Sequence, residues 1–375
     1  MIVNKPAGRL APSETFLRAH AARLAGDTLV LVGDPGRRRI GVDGGPYLVS
    51  QHLAARAFRG ALARLYPGIR EALDRRAVRR ILERERVDVV LAEYGPTAIS
   101  VREACRREGT PFVAHFHGWD AYVLPQRPEV LAGYRRVFRD AAAIVAVSRH
   151  MVEQLVSLGA PEEKIHWNPC GAVVPEVAAR PGEAPPLFVA VGRFTPKKAP
   201  DVTLRAFAHV VRDVPDARME MIGPGPLLEA SRSLARELGL EERIEFHGAA
   251  AHDAVCRTLS RARCFVQHSV TAPDGDREGT PVAVLEAMAL GLPIVSTRHT
   301  GIMDIVEEGA TGTLVEEFDV EDMARAMIAY ARDPARAEAH GRAAREAVRT
   351  RWSMDLSIER LCAIVRDAAR RPAAD

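Results

Sequence analysis

Apolar and polar positions alternate in a regular way along the first half of the chain. Short, nearly continuous apolar runs predict strands at "DTLVLVG", "VDVVLAEYG", "TPFVAHFHG" and "AAAIVAVS". Helical patterns lie between them, as in "AVRRILERERV" and "AISVREACRREG". Strands that are apolar on both faces and alternate with helices are typical of a parallel sheet covered on both sides. The pattern therefore predicts an α/β domain in the N-terminal half.

A break in this pattern predicts a second domain. Residues 168–186, "NPCGAVVPEVAARPGEAPP", are rich in Pro, Gly and Ala and carry no apolar repeat, which is the composition of a linker. Strand and helix patterns resume from "PLFVAVG" to "PIVST", and "WSMDLSIERLCAIVRDAARR" has apolar positions at helical spacing. We expect two Rossmann-like domains, residues 1–172 and 173–350, and a C-terminal helix within 351–375.

Composition narrows the class of protein. The chain has 375 residues, 47% of them hydrophobic, which suits two globular cores, and a net charge of +3, which argues against a nucleic-acid binder. Its five cysteines show no close pairing, as expected in a reducing cytoplasm. There is no secretory signal and no apolar run of about 20 residues. We expect a cytoplasmic protein whose basic runs "DRRAVRR" and "RRVFR" are solvated helix faces or peripheral contacts with anionic lipid.

The stretch "REGTPVAVLEAMALGLPIVST" combines two carboxylates with a helix start. Thr280 is a favoured N-cap and Pro281 a favoured first helical residue, so a helix is predicted over 281–290. The unpaired N–H groups at such a helix start suit phosphate, and carboxylates accept hydrogen bonds from sugar hydroxyls. Glu278 and Glu286 bracket this start and could hold the two sugars of a ligand with a central diphosphate. The alternative is a capped helix with an incidental glutamate, but a buried Glu286 would need a partner.

A second cluster, "VAVGRFTPKKAP", places basic residues after a predicted strand. The strand ends at Gly192, and Arg193 and Lys198 follow in a loop before a helix. Arg forks onto phosphate oxygens and Lys adds a point charge. A solvated basic loop is the alternative. The position at the carboxyl end of a strand favours ligand binding, because open α/β sheets bind ligands there.

Taken together, these motifs resemble the retaining glycosyltransferases of family 4. The resemblance is carried by "GRFTPKK", "IGPGP", the two glutamates with seven residues between them, "APSETF" and "FHGWDAY". It covers nearly the whole chain, is weakest over residues 33–80, and is closest to enzymes of the colanic-acid and exopolysaccharide type. It implies the GT-B fold: two Rossmann-like parallel-sheet domains facing across a cleft, with the C-terminal helix crossing back to the N-terminal domain.

The resemblance also implies roles for individual residues. Arg193 and Lys198 would hold the donor diphosphate, Glu278 would contact the donor sugar, and Glu286 would bind the ribose. His117 would lie near the transferred sugar. Backbone contacts with the donor are implied at Gly8, Gly192, Gly279, Thr280 and Pro281. The N-terminal domain would bind the acceptor and the C-terminal domain the nucleotide sugar, with neither metal nor cofactor.

The function so implied is transfer of a sugar from a nucleoside-diphosphate sugar, such as a UDP-sugar or GDP-mannose, to a sugar-containing acceptor. A lipid-linked acceptor in exopolysaccharide synthesis is favoured, and a small soluble or natural-product acceptor stays open. A GT-B sugar-nucleotide epimerase and a non-catalytic binding module are rival readings. A dehydrogenase is disfavoured because neither half shows G-x-G-x-x-G after its first strand.

Two further patterns could mislead. "DGD" at residues 274–276 matches the Asp-x-Asp pattern of metal-dependent glycosyltransferases, but one short match is a weak signal. His115 and His117 alternate on a predicted strand and should therefore point to opposite faces. On that basis His117, which is followed by "GWD", is the better candidate for the ligand site.

Overall fold

The computed structural model describes residues 2–3, 15–24, 26–32, 41–42 and 69–370. The chain divides into two compact units. Unit 1 comprises Met1–Asn168 together with Ile358–Asp375, and unit 2 comprises Pro169–Ser357. The change of unit near residue 168 falls at the start of the Pro- and Gly-rich stretch.

Unit 1 is built on a seven-stranded sheet of order β3-β2-β1-β4-β5-β6-β7. Neighbouring strands are parallel except for β2 and β3, which pair antiparallel. The central strands β4, β5 and β6 are fully buried, as their continuous apolar sequences predict. The strands are β1 (Ile2–Val3), β2 (Val30–Val32), β3 (Gly41–Val42), β4 (Val90–Glu93), β5 (Phe112–Phe116), β6 (Ala143–Ala146) and β7 (Ile165–Trp167).

Capping residues mark several helix ends in unit 1. Ser148 accepts a hydrogen bond from the Met151 N–H and so caps the helix that begins at Arg149. Gly109 takes the left-handed conformation that ends the helix before β5. The described α-helices are Thr15–Arg23, Ile69–Arg84, Gly95–Glu108, Trp119–Tyr122, Pro128–Asp140 and Arg149–Ser157, with short 3₁₀ turns at Leu124–Gln126 and Glu162–Lys164.

Unit 2 is built on a six-stranded parallel sheet of order β10-β9-β8-β11-β12-β13. This is the doubly wound order in which the chain reverses direction across the sheet between β8 and β11, and such sheets bind ligands at the carboxyl ends of the strands beside that point. The strands are β8 (Leu187–Val191), β9 (Arg218–Ile222), β10 (Ile244–Gly248), β11 (Cys264–Gln267), β12 (Ile294–Thr297) and β13 (Gly312–Val315).

Helices cover both faces of the unit 2 sheet. One large apolar cluster, which includes Phe188, Phe207, Val266, Met327 and Tyr330, packs between the sheet and its helices. The described α-helices of this unit are Pro200–Asp213, Leu228–Glu237, His252–Ser260, Val282–Leu290, Ile302–Ile305, Val320–Arg332 and Pro334–Ala347, with a 3₁₀ turn at Pro196–Lys198 and a π-helical turn at Val348–Trp352.

The last helix, Met354–Arg370, belongs to both units. Its first residues group with unit 2, and from Ile358 onward it groups with unit 1. Leu361 and Ala368 are buried against Leu91, Val113 and Val145 of strands β4, β5 and β6. Burying a leucine side chain stabilises a fold by about 1.5–3 kcal/mol, so this helix contributes to the core of unit 1.

Candidate functional site

Two loops of unit 2 meet beside the reversal point of its sheet. Lys198 ends the 3₁₀ turn that follows β8, and Glu278 lies in the long loop that follows β11. The Lys198 Nζ and Glu278 Oε1 atoms are 3.0 Å apart, with side chains only 16% and 8% exposed. The structure therefore brings two of the predicted site residues together as a buried ion pair.

The electrostatics of this pair favour the charged carboxylate. Burial alone would raise the pKa of Glu278, but the ammonium groups of Lys198 and Lys197 outweigh it and lower that pKa to about 2. Burial lowers the pKa of Lys198 from 10.5, and Glu278 acts against that shift. Glu278 is thus a hydrogen-bond acceptor and not a proton donor at neutral pH.

Three glycines allow close packing in and around the loop that carries Arg193 and Lys198. A Cβ atom on Gly192 would lie 3.2 Å from Lys198 Cε, so the missing side chain gives the lysine its path. Gly223 and Gly225, of the "IGPGP" motif, have φ angles of 146° and 157°. Cβ atoms there would lie 1.9 Å from the Gly192 carbonyl oxygen and 2.4 Å from that of Phe194. The motif therefore packs backbone against the 192–194 loop.

Arg193 is the open cation of this loop. It is exposed, and within the described part of the chain its guanidinium has no hydrogen-bond or ion-pair partner. Together with the β8 and β9 strand ends it lines a small cavity of about 30 Å³ that also includes Lys198, Gln267 and His268. Arg193 can therefore reach an anionic ligand without breaking an existing pair.

Lys197 was not singled out from the sequence, yet it is buried in the same loop. Its Nζ lies 3.1 Å from Asp276 Oδ1 and 3.3 Å from the Arg277 carbonyl oxygen. The second carboxylate of the "DGD" motif is thereby paired with an ammonium group. Groups of possible metal ligands among the described residues do not include residues 274–276. Lys197 thus ties the two loops together from outside the Lys198–Glu278 pair.

The helix after Glu278 begins one residue later than predicted. It spans Val282–Leu290, and Pro281 is its N-cap, with extended angles of φ −76° and ψ 97°. The Pro281 carbonyl accepts the first helical hydrogen bonds, from the N–H groups of Val284 and Leu285. The prediction that Thr280 is the N-cap was wrong, because its hydroxyl oxygen accepts a hydrogen bond from the Cys170 N–H at 3.2 Å instead. Gly291 ends the helix in the left-handed conformation, as predicted.

Glu286 lies in the middle of this apolar helix and is only partly covered. Its side chain is 21% exposed, and its Oε1 is 3.9 Å from His252 Nδ1, too far for a hydrogen bond. Burial raises the pKa of Glu286, which His252 partly offsets. The carboxylate lacks the strong ion pair that Glu278 has, so it retains capacity to accept hydrogen bonds from a ligand.

The backbone of Glu278 is held by residues that the sequence did not point to. His299 Nε2 accepts the Glu278 N–H at 3.2 Å, so Nδ1 carries the proton and donates to Glu317 Oε1 at 2.6 Å. Thr300 donates its hydroxyl proton to the Glu278 carbonyl at 2.9 Å. Glu317 also accepts the Thr271 N–H at 2.9 Å. Strand ends β11, β12 and β13 therefore fix the position of Glu278 jointly.

Unit 1 carries a separate cluster at the carboxyl ends of β4 and β5. Glu93 is fully buried, and its Oε1 lies 2.7 Å from His20 Nδ1, while its Oε2 lies 2.7 Å from His117 Nε2 and 3.1 Å from His115 Nδ1. Burial would raise the Glu93 pKa, but the surrounding imidazoles hold it well below its ordinary value. Burial lowers the pKa of His115 to about 4, so His115 is neutral at physiological pH.

The expectation that His115 and His117 point to opposite faces was wrong. Strand β5 ends at Phe116, and the chain turns at Gly118, which has a φ of 154°. Asp120 fixes the turn by accepting the N–H groups of His117 at 3.0 Å and Gly118 at 2.9 Å. The two imidazole rings therefore lie 4.2 Å apart and face the same carboxylate.

Of the ten predicted site residues, nine lie within the described part of the chain. Gly8 lies outside the described residues. Gly192, Arg193, Lys198, Glu278, Gly279, Thr280, Pro281 and Glu286 belong to unit 2, and His117 belongs to unit 1. The unit 2 group offers two cations and a helix start for an anion, and two carboxylates for hydroxyl groups.

Each unit is an α/β domain on a Rossmann-like sheet, and the fold is of the GT-B class. Residues 177–347 match the family model for glycosyl transferases group 1, and residues 16–174 match that for glycosyltransferase family 4. A crystal structure of Anabaena Alr3699/HepE in complex with UDP and glucose superimposes with a TM-score of 0.73 at 16% identity, over 97% of this chain and 98% of that one.

Curated relatives point to the same family. The chain is 34% identical over 251 residues to a putative colanic acid biosynthesis glycosyltransferase, WcaL, of Escherichia coli (strain K12), covering 65% of this chain and 62% of the relative. It is 31% identical over 277 residues to a GDP-mannose-dependent alpha-(1-6)-phosphatidylinositol monomannoside mannosyltransferase of Mycolicibacterium smegmatis, covering 71% and 69%. The chain belongs to the group 1 and family 4 glycosyltransferases, as its motifs predicted.

Two further observations concern the share of the relatives that is matched and the character of the helices. The chain spans about 62% of the length of the WcaL relatives that it matches. Among the described residues, no helix combines the length and the apolar character needed to cross a bilayer.

Proposed function

We propose that the protein transfers a sugar from a nucleoside-diphosphate sugar to a hydroxyl group of a sugar-containing acceptor, with retention of anomeric configuration and without a metal ion. The buried Lys198–Glu278 pair beside the open Arg193, at the reversal point of the unit 2 sheet, carries this proposal. The cations there can bind the leaving diphosphate, and the fixed Glu278 carboxylate can accept hydrogen bonds from sugar hydroxyls. Family membership and the names of the relatives support it.

In this proposal the main task of the protein is to stabilise the charge that develops on the leaving diphosphate. Arg193 and Lys198 supply cations, and the start of the Val282–Leu290 helix supplies N–H groups. Glu278 holds hydroxyls of the transferred sugar, and Glu286 holds the ribose. The acceptor attacks on the face that the diphosphate leaves, and a phosphate oxygen of the leaving group takes the acceptor proton. No covalent sugar–enzyme intermediate is required.

The acceptor that we propose is a lipid-linked sugar or glycolipid, which unit 1 binds. One relative is named for colanic acid biosynthesis, and another for a phosphatidylinositol mannoside, which is a glycolipid. This acceptor would place the protein in the cytoplasm with peripheral contact to a membrane. UDP-sugars and GDP-mannose are the first donors to test, because a structural neighbour is named in complex with UDP-glucose and a relative is named as GDP-mannose-dependent.

A thermal-shift screen with nucleoside diphosphates and their sugars, with and without EDTA, tests the donor site. Binding to the folded state raises the melting temperature by mass action. We expect a shift with one base and one sugar that EDTA leaves unchanged and that Glu286→Ala abolishes. Glu321→Ala is the matched control, because Glu321 is an exposed helical glutamate of the same unit. A shift lost in EDTA would contradict metal independence, and no shift with any donor would contradict the proposed function.

Turnover then distinguishes transfer from epimerisation. The protein with its donor and an acceptor glycolipid should release nucleoside diphosphate only when the acceptor is present. Conversion of the donor into another sugar nucleotide without acceptor would instead indicate an epimerase. Release with a small soluble glycoside, but not with the glycolipid, would replace the lipid-linked acceptor by a soluble one.

A further inference from the structure

The cluster around Glu93 contains titratable groups that the proposed chemistry has not used. Glu93 ends strand β4, His20 lies on the Thr15–Arg23 helix, and His115 and His117 come from the end of β5. These segments are far apart in sequence and come together only because the parallel strands end at the same edge of the sheet. A fully buried carboxylate is costly unless hydrogen bonds compensate its charge.

We propose that Glu93 is a positioning residue that fixes the ring orientation and proton position of His117. This inference rests on the proposed function and on the role that the family resemblance implies for His117, which is to lie near the transferred sugar. Glu93 Oε2 lies 2.7 Å from His117 Nε2, at hydrogen-bond length, so Nε2 carries a proton and donates it to the carboxylate. Glu93 thereby selects one tautomer of neutral His117 and stabilises its imidazolium form.

The other contacts of Glu93 hold the carboxylate still. Its Oε1 accepts from His20 Nδ1 at 2.7 Å, so both carboxylate oxygens are engaged and the group cannot rotate. His115 stacks on His20 with ring centroids 5.4 Å apart and fills the remaining space. On the other side, the rings of Phe16 and Tyr94 each lie 4.7 Å from that of His117. The His117 ring is therefore confined from three directions.

Among the residues that the structure describes, the charged and titratable groups that face His117 come from four segments. Glu93 contacts its ring, and Asp120 accepts its backbone N–H at 3.0 Å. His115 and Tyr94 pack against its ring, and His20 reaches it only through Glu93. Glu93 is the single anion in contact with the imidazole itself among these groups, so its removal should change the protonation of His117 most directly.

A divalent metal is the alternative occupant of this cluster, because His20, Glu93 and His115 offer three ligand atoms within 4.8 Å of one another. The distances favour hydrogen bonds. Zinc bound at about 2.0–2.1 Å would hold tetrahedral ligand atoms roughly 3.3 Å apart, and a ligating imidazole nitrogen carries no proton to share with a neighbouring carboxylate. Two of the N···O contacts here are 2.7 Å, the length of a charge-assisted N–H···O bond.

The test compares Glu93→Gln with wild type by ¹⁵N NMR of the histidine rings, with His117 assigned through a His117→Gln variant. In wild type we expect neutral His117 to be protonated at Nε2. The glutamine keeps the shape but loses the charge, and its single acceptor oxygen cannot serve both His20 and His117. We expect the His117 pKa to fall by about one unit in Glu93→Gln, which is a tenfold change in its proton affinity.

Kinetics give the second readout. In Glu93→Gln, kcat should fall at least about tenfold, and the acid limb of the pH–rate profile should shift. The affinity for the nucleoside diphosphate should stay at the wild-type value, because those contacts lie in unit 2. Glu93→Asp should recover part of kcat. Glu153→Gln is the matched control, since Glu153 is an exposed glutamate of unit 1, and it should leave every readout unchanged.

The outcomes separate this inference from the proposed function. If no donor is turned over, the proposed function fails, yet the NMR comparison still tests Glu93 against His117. If Glu93→Gln does not fold, the wild-type tautomer decides, and neutral His117 protonated at Nδ1 would overturn the inference. It is also overturned if the His117 resonances and pH profile are unchanged in Glu93→Gln, or if purified protein contains one equivalent of metal by mass spectrometry.

Discussion

Replacing Lys198 by methionine removes one charge of the buried pair and keeps a side chain of similar length. In the native protein the pKa of Glu278 is about 2, against an ordinary 4.5. A depressed pKa contributes stability above the unfolded value of 4.5, and this contribution disappears as the pH falls through about 2. The difference of roughly 2.5 units corresponds to about 3 kcal/mol at neutral pH.

In Lys198→Met the sign of this contribution reverses. Glu278 stays buried but loses its nearest cation, so burial raises its pKa and the charged form becomes unfavourable at pH 7. Removing one member of a buried pair costs about 3–5 kcal/mol. Glu278→Gln in the same background removes the unpaired charge. We therefore expect the double variant to be more stable than Lys198→Met, with a coupling energy of about 2–3 kcal/mol.

Urea unfolding at pH 7 measures this effect in unit 2 alone if Trp352 is the fluorescent probe. The protein has three tryptophans, and Trp119 and Trp167, both in unit 1, are replaced by Phe in every variant. Lys197→Met serves as the comparison, because Lys197 divides its hydrogen bonds between the Asp276 carboxylate and the Arg277 carbonyl oxygen. A cost below about 1 kcal/mol for Lys198→Met, or additive effects in the double variant, would refute the account of the pair.

Three other predictions concern unit 2. Gly223→Ala should lower the free energy of urea unfolding by about 3 kcal/mol or more, because its Cβ would lie 1.9 Å from the Gly192 oxygen at a φ of 146°. The control Gly239→Ala, at a φ of 69° and with open space around the Cβ, should lower it by only about 1–2 kcal/mol. Equal costs would contradict the close approach. Glu317→Gln should weaken nucleoside-diphosphate-sugar binding about tenfold by calorimetry, because glutamine loses the charge and its single acceptor oxygen cannot serve both His299 and the Thr271 N–H, which weakens the support of Glu278. Unchanged affinity would contradict this. Burial depresses the pKa values of His299 and of His268, the latter to about 4, so the stability of unit 2 should fall as the pH drops from about 6.5 towards 4; a flat profile in that window would contradict their buried neutral state.

Sequence periodicity predicted the strands that are buried on both faces. Strands β4, β5, β6, β8, β11 and β12 are short apolar runs, and a two-sided core requires that composition. Strand β7 was not predicted, and of the helix Pro128–Asp140 the sequence indicated only the basic stretch "RRVFR" as a helix face. The helix is rich in Arg and buries only one narrow face, and β7 is an edge strand of three half-buried residues. Such elements depend on the neighbours they pack against more than on their own pattern.

The unit 2 site could be predicted because its residues lie in two contiguous motifs. Arg193 and Lys198 share one loop, and Glu278 and Glu286 share another. The supports of the site could not be predicted in this way. Glu317 reaches Glu278 through His299 and Glu93 reaches His117 across 24 residues, so each pairing exists only after parallel strands bring their ends together. An acid at the end of a buried strand, as in "LAEYG", was the available signal.

The prediction that His115 and His117 point to opposite faces was wrong for a local reason. Period-two alternation holds only while the chain stays extended. The strand ends one residue before His117, and the Asp120 carboxylate bends the chain by accepting two consecutive N–H groups. A buried aspartate three residues after a histidine is therefore informative about where that histidine points.

The anomeric configuration of the product tests the central claim most directly. The protein is incubated with the α-linked donor identified by thermal shift and with an acceptor glycolipid, and the new anomeric proton is read by ¹H NMR. The account predicts an α-linked product, formed equally with and without EDTA, and turnover reduced by orders of magnitude in Arg193→Ala. A β-linked product, or full turnover in Arg193→Ala, would contradict it.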